Sequence, residues 1–245
     1  MQRRTKIVLG VAGAAVYLAG VAAVMQGKGG KEADGPSAAA GAVDRLARFD
    51  AVSGEYDARI GMDEIVMLLP LVRRFLVRQA QGDVLEVACG TGRNASYYRP
   101  DRVASLTAVD ASRGMLDIAQ LRPHAVDGVV FRAADAQRLP FADDSFDTVV
   151  MTFATCSMDE PRAALAEAAR VCRPSGRILL LEHGLGHYAF LNRLLDTNAA
   201  RHEAEWGCTW NRDIARLVDD AQLDVQSYTR LHFGTTHMIV ARPPA

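Results

Sequence analysis

The residues with the most chemical promise stand in three short groups. The first is Glu86-Val87-Ala88-Cys89-Gly90-Thr91-Gly92-Arg93-Asn94, the second ends at Asp110, and the third is Ala133-Ala134-Asp135-Ala136. Glycines at 90 and 92 let a ligand approach the backbone closely, and helix-initial N–H groups can meet a carboxylate or a phosphate. The spacing Gly90-x-Gly92-x-x-Ala95 also fits a dinucleotide fingerprint, and Asp110 lies 20 positions beyond Gly90, where an acid holds a ribose diol in either cofactor class. Asp135 adds an acceptor for the exocyclic amine of a base. Three acids at successive strand ends, Glu86, Asp110 and Asp135, make such a pocket hospitable to a cation and hostile to a pyrophosphate. A sulfonium nucleoside with an amino-acid tail therefore fits the set better than a dinucleotide.

The elements that must position these residues alternate. VLEVA (84–88), SLTAVD (105–110), GVVFRAAD (128–135), FDTVVMTF (146–153) and GRILLLEHG (176–184) are short apolar runs suited to strands buried on both faces. Helices are expected at 92–98, 112–121 and 160–172, the last behind Asp159 with Pro161 in its first turn, and at 212–221 behind Asn211. A further helical run at 63–80 contains Pro70 as a break. LDVQSYTR and THMIVARP, separated by HFGT, read as an antiparallel pair. The fold class is α/β, a Rossmann-like doubly wound, mostly parallel sheet with a C-terminal antiparallel strand pair, preceded by a single transmembrane helix. In such a sheet the ligand lies beyond the carboxyl ends of the strands, where strand order reverses.

Composition narrows the chemistry. Of 245 residues 49% are hydrophobic and 23% charged, which excludes a disordered or collagenous chain. No lysine follows Lys31, so Schiff-base chemistry, the P-loop signature and a YxxxK pair are absent from the body. Residues 1–31 carry five basic groups and no acid; without them 23 basic groups face 29 acidic ones, and this acidic body argues against nucleic acid as a partner. Cys89, Cys156, Cys172 and Cys208 form no CxxC knuckle, and glycines 184 and 186 break any helix that would pair His183 with His187, so no metal is expected. Residues 7–25 are 19 uncharged positions behind a basic start, about 28 Å as a helix against a hydrocarbon core of about 30 Å. They read as a retained membrane anchor within residues 1–26, with a cleaved signal peptide as the rival reading; 27–42 form a flexible linker, and 43–245 the folded domain.

VLEVACGTGRN, LTAVDASRGMLDIA, FRAADAQRLPFADDSFDTVVMTF and ALAEAARVCRPSGRILLLEHG resemble, in order, the successive motifs of class I S-adenosylmethionine-dependent methyltransferases (type 11 domain) across residues 85–185. The tail LEHG…LNRLLD…H…WGCTWNRDI is similar to membrane-anchored methyltransferase-like proteins, thiol methyltransferases and a fungal mitochondrial inner-membrane type among them. The resemblance implies S-adenosyl-L-methionine as cofactor. It implies that Glu86, Ala88, Gly90, Thr91 and Gly92 line the methionine end, that Asp110 with Ala111 holds the ribose, and that Met115 packs near the adenine. Asp135 and Ala136 would meet the base, and Thr152 and Phe153 border the sulfonium. Ala88 departs from the pattern, which often has glycine there. Tyr56 and Asp57 fall in a segment that the resemblance makes a lid.

Methyl transfer from a sulfonium is an in-line displacement, for which a base is optional. His183, at the end of the fifth strand, is the candidate catalytic base, and Tyr56, His183 and Trp206 are the candidate substrate contacts. The expected activity is transfer to a small lipophilic acceptor met at the membrane, thiol first and quinone-like phenol or ring carbon second. The competing reading is a non-catalytic membrane-tethered assembly factor. A mitochondrial inner-membrane location follows from the likeness, with the endoplasmic reticulum as the alternative.

Overall fold

The computed structural model describes residues 45–244. The expected anchor (7–25) and linker (27–42) lie outside the described residues, among which no helix is long and apolar enough to cross a membrane. Two helices come first, α1 (Arg45–Val66) and α2 (Leu69–Val77). They are followed by β1 (Gly82–Val87), β2 (Val103–Asp110), α3 (Arg113–Gln120), β3 (Val130–Ala133), β4 (Phe146–Thr152), α4 (Pro161–Val171) and β5 (Cys172–His183). The chain ends with α5 (Ala189–Trp206), α6 (Ile214–Asp220), β6 (Asp224–Leu231) and β7 (Thr236–Arg242).

The seven strands form one sheet in the order β3-β2-β1-β4-β5-β7-β6. Strands β1 to β5 pair in parallel, and β7 runs antiparallel to both β5 and β6, as the two C-terminal runs predict. The apolar runs of β1, β4 and β5 are continuous because both faces are covered; β3 lies at the sheet edge and is largely exposed, so the expectation of a strand buried on both faces is corrected there. In β5, Ile178 and Leu180 pack with Leu165 and Ala168 of α4 and Ile214 and Val218 of α6, while Leu179 and Leu181 pack with Leu76 and Val77 of α2. All four of these β5 side chains are at most 1% exposed, each worth about 1.5–3 kcal/mol of burial.

Several local expectations are corrected. Residues 92–98 form successive turns instead of a helix, with Gly92, Ala95 and Tyr97 N–H groups donating to the carbonyls of Cys89, Gly92 and Asn94. Asn94 and Tyr98 are turned inward there to donate to Glu86, which sets the path of the segment. The run 63–80, by contrast, breaks as Pro70 predicts, into two helices with Leu68 (φ 54°) between them. Helix α6 is capped by Asp213 rather than Asn211, its carboxylate accepting from the Arg216 N–H, and α4 follows Glu160 without a side-chain cap. Helix α5 buries only Leu191 and Leu195 among its 18 residues, so its apolar period is faint and the sequence does not announce it. Gly207 in a left-handed conformation (φ 68°) ends it.

Candidate active site

Strand order reverses between β1 and β4, and a cavity of about 370 Å³ opens there beyond the strand ends. Its walls come from the loops after β1, β2, β3 and β4, with α1 forming a cover. The β1 loop turns sharply: Ala88, Gly90 and Gly92 all have positive φ, 53°, 55° and 76°. A side chain at Gly90 would meet nothing within 4 Å, so that edge of the loop is open to a ligand, whereas one at Gly92 would come within 3.2 Å of Ala119. Gly92 thus lets the loop pack on α3, and it does not line the cavity.

Asp110 closes β2 on the wall, its two oxygens accepting from the N–H groups of Gly90 (2.8 Å) and Ser112 (2.9 Å). Burial pushes its carboxyl up, against the pull of those N–H groups. Asp135 lies opposite, exposed, accepting from the Gln137 N–H at 2.9 Å. Ala88, Thr91, Ala111, Met115, Ala136, Thr152 and Phe153 all line the same cavity, so the structure brings together most of the residues singled out in sequence.

Besides Gly92, three placements differ. Glu86 is buried behind the wall, its carboxylate accepting from Tyr98 Oη (2.7 Å) and Asn94 Nδ2 (2.9 Å), so the expected convergence of three carboxylates is corrected to two. Trp206 sits half-buried at the end of α5, tilted against His202, and does not reach the cavity. His183 is also off the wall. Its ring packs edge-on to Phe153 (5.6 Å between centroids), and its Nε2 lies 2.9 Å from Cys208 Sγ. Among the described residues no histidine lines the cavity.

What the sequence reading missed is Arg73 of α2. It is 5% exposed on the cavity wall, bonded to Glu64 (2.8 Å) and to Thr152 Oγ1 (2.8 Å), with its guanidinium 4.8 Å from the Phe153 ring centre. No local motif marks it, because its partners lie up to 79 positions away. Glu64 is shared with Arg93 (2.7 Å), and Asp57 joins Thr91 Oγ1 and Arg93 (both 2.8 Å) to Arg122. Burial pushes Asp57 up, but the bonds from Arg93 and Thr91 and the charge of Arg122 hold it below the usual carboxylate range. These ion pairs rivet α1 over the β1 loop. Leu46, Phe49 and Tyr56 of α1 thereby face the cavity, with Ser157 and Met158 also on its wall. Burial raises the Tyr56 hydroxyl well above its usual value.

A sulfonium nucleoside with an amino-acid tail fits these walls. Arg73 Nε is a buried donor without a protein partner, suited to a carboxylate. Asp110 and Asp135 suit the ribose and base, and the open edge at Gly90 leaves room for the linking atoms.

Residues 85–180 match the methyltransferase domain family model. The chain is 38% identical over 212 residues to the mitochondrial methyltransferase OMS1 of Saccharomyces cerevisiae, covering 79% of this chain and 45% of that one. It is 38% identical over 143 residues to a demethylmenaquinone methyltransferase of Renibacterium salmoninarum, covering 56% and 57%. The chain thus spans about half the length of these two relatives. With a phosphatidylethanolamine N-methyltransferase of Cereibacter sphaeroides it shares 35% identity over 161 residues, 62% of this chain and 75% of that one. With that relative covered over three quarters of its length, and with the shared motifs meeting around one cavity, the chain belongs to the class I S-adenosylmethionine-dependent methyltransferases.

Proposed function

We propose that the protein transfers a methyl group from S-adenosylmethionine to a small lipophilic acceptor, a thiol first and a quinone-like phenol or ring carbon second. The cofactor supplies an electrophilic methyl on a sulfonium. Arg73 would take its carboxylate, Asp110 its ribose hydroxyls and Asp135 its base, while Thr152 and Phe153 border the sulfur. Leu46, Phe49, Tyr56 and Met158 form an apolar and aromatic patch on the remaining wall, beside Arg45, Ser157 and Asp159, and this patch accepts a nonpolar body. Alignment and exclusion of water are then the protein's main contribution, about 7–11 kcal/mol for a well-oriented pair.

The observation that carries the order of acceptors is the absence of an imidazole from the cavity wall among the described residues. Tyr56 stays protonated and serves as a donor, and His183 is engaged by Cys208. A thiol ionises partly by itself near neutral pH, whereas a phenol or ring carbon needs a base. The quinone alternative is favoured by the relative named for demethylmenaquinone.

Delivery from a bilayer is supported by the apolar run 7–25 and by Met62, Ile65, Leu68, Leu71 and Phe75, all exposed along α1, α2 and the link between them. A mitochondrial membrane is favoured by the relative of that name. The test is incubation of the purified chain with methyl-labelled cofactor and either alkyl thiols or demethyl quinones. Label is expected in the thiol products; cofactor binding without transfer to either class sinks the acceptor assignment and restores the assembly-factor reading.

A further inference from the structure

Beside the cavity but not on its wall, three side chains from three separate elements meet. Cys156 lies on the single helical turn Thr155–Ser157 after β4, His183 ends β5, and Cys208 follows the glycine that ends α5. Their Sγ and nitrogen atoms all lie within 4.8 Å of one another, and both thiols are buried, at 2% and 8% exposure. The three backbones are held firmly. The Ala154 and Thr155 N–H groups donate to Glu182 (3.1 and 3.2 Å), the Thr209 N–H donates to the Cys156 carbonyl (2.8 Å), and Arg212 reaches the Met158 carbonyl (2.6 Å).

A lone buried thiol is ordinary core, and a thiol bonded to an imidazole is only a weak hydrogen bond. Two thiols and an imidazole converging from positions 27 and 25 residues apart is a donor set of another kind. Zinc binds thiolate at about 2.3 Å and imidazole nitrogen at about 2.0–2.1 Å, so ligand atoms of one tetrahedron stand roughly 3.5–4 Å apart. With all three ligand atoms within 4.8 Å of one another the cluster is already gathered close to that scale, and the His183–Cys208 pair, at 2.9 Å, must open by about half an ångström or more. Two thiolates also neutralise a dication, so its burial leaves no net charge uncompensated.

We propose that Cys156, His183 and Cys208 bind one Zn²⁺ or a similarly soft divalent cation. On binding, the two thiols release their protons to solvent and three ligand bonds form, with no change of oxidation state. No further His, Cys, Asp or Glu joins the group among the described residues, so water or an exogenous ligand completes the sphere. Three protein ligands with one exchangeable position is the pattern of zinc sites that keep an open coordination place. The ion ties the end of β5 and the end of α5 to the turn whose last residue, Ser157, lines the cavity together with the following Met158, and so fixes the acceptor side. Sequence spacing hides the set, because each ligand comes from a different element.

The test uses the full chain, reduced and freed of metal, titrated with Co²⁺. One equivalent is expected to give the intense visible absorption of tetrahedral cobalt and a sulfur-to-cobalt charge-transfer band, both abolished by added Zn²⁺. Cys156→Ser, Cys208→Ser and His183→Gln should each weaken binding by at least about tenfold, and Cys172→Ser, at the far end of β5, should not. Since these variants are buried, X-ray absorption at the zinc edge of the unmodified chain provides a reading independent of folding, with two sulfurs and an imidazole expected in the first shell. Absence of the cobalt bands, a first shell without two sulfurs, or a native Cys156–Cys208 disulfide would overturn the proposal.

Discussion

Ala88 carries a methyl group in a left-handed turn (φ 53°), a conformation that costs a residue with Cβ about 1–2 kcal/mol and glycine almost nothing. Glycine's greater freedom in the unfolded chain offsets about 0.4–1 kcal/mol of that. Ala88→Gly is therefore expected to raise stability by up to about 1 kcal/mol, read from denaturant midpoints, without weakening cofactor binding. On the proposed reading Asp110 holds the ribose hydroxyls of the cofactor. Asp110→Asn keeps the shape but loses the charged acceptor, and cofactor affinity measured by calorimetry should fall at least about tenfold. A pH dependence resides at His237, 1% exposed, with Tyr228 Oη donating to Nδ1 (2.6 Å) and Nε2 donating to the Leu185 carbonyl (3.1 Å). Burial and the charge of Arg230 push it down to about 4. The unfolded chain thus takes the proton first. Stability is full above about pH 6.5 and falls by about 1.4 kcal/mol per unit toward pH 4. His237→Gln should show a shallower loss between pH 7 and 4.5; an equal slope in both proteins would place the titration elsewhere. Asp110 and Gly90 were legible in sequence because strand ends and left-handed turns leave local marks, whereas Gly92 serves the packing of the loop on α3. Arg73 and the His183 cluster were not legible, since a side chain's aim across the sheet leaves no such mark.

At the scale of elements, the lid expected from sequence at Tyr56 and Asp57 is a 22-residue helix bound at several places along its length. Asp50 engages Ser112 and the Gly114 N–H near one end, Asp57 binds Thr91, Arg93 and Arg122 in the middle, and Arg45 reaches Asp159, Glu203 and the Gly207 carbonyl. Asp57→Ala removes the central tie and leaves Arg93 bonded to Glu64 alone. Because that site is partly exposed, a loss of about 1 kcal/mol or somewhat more is expected. The result should be faster hydrogen exchange across α1 and a higher KM for cofactor with kcat little changed. Unchanged exchange in α1 would mean that the helix is held by packing alone. The central parallel strands β1, β4 and β5 were legible because burial on both faces makes them unbroken apolar runs. The helix expected at 92–98 failed because Asn94 and Tyr98 serve the buried Glu86 instead of a helix face. Helix α5 escaped notice for the opposite reason: with two buried leucines in 18 residues, its contacts to α1 and to the loop after it shape it more than its own period does.

At the scale of the whole molecule, positive charge without acid is confined to residues 1–31, while the remainder carries 23 basic against 29 acidic groups. The acidic body offers no net electrostatic attraction to an anionic lipid surface, so the proposed delivery from a bilayer rests on the apolar run 7–25 and on the exposed apolar side chains of α1 and α2. A tether at 7–25 would raise the local concentration of an acceptor dissolved in the bilayer without altering the cavity. Cofactor affinity should therefore be the same for the full chain and for residues 43–245, and so should kcat/KM toward a short, water-soluble acceptor. Toward a long-chain acceptor carried in vesicles that also hold the enzyme, the shortened chain should be slower by at least about tenfold. Equal rates on the vesicle-borne acceptor would mean that residues 1–42 play no part in delivery, and that the cavity takes its acceptor from water.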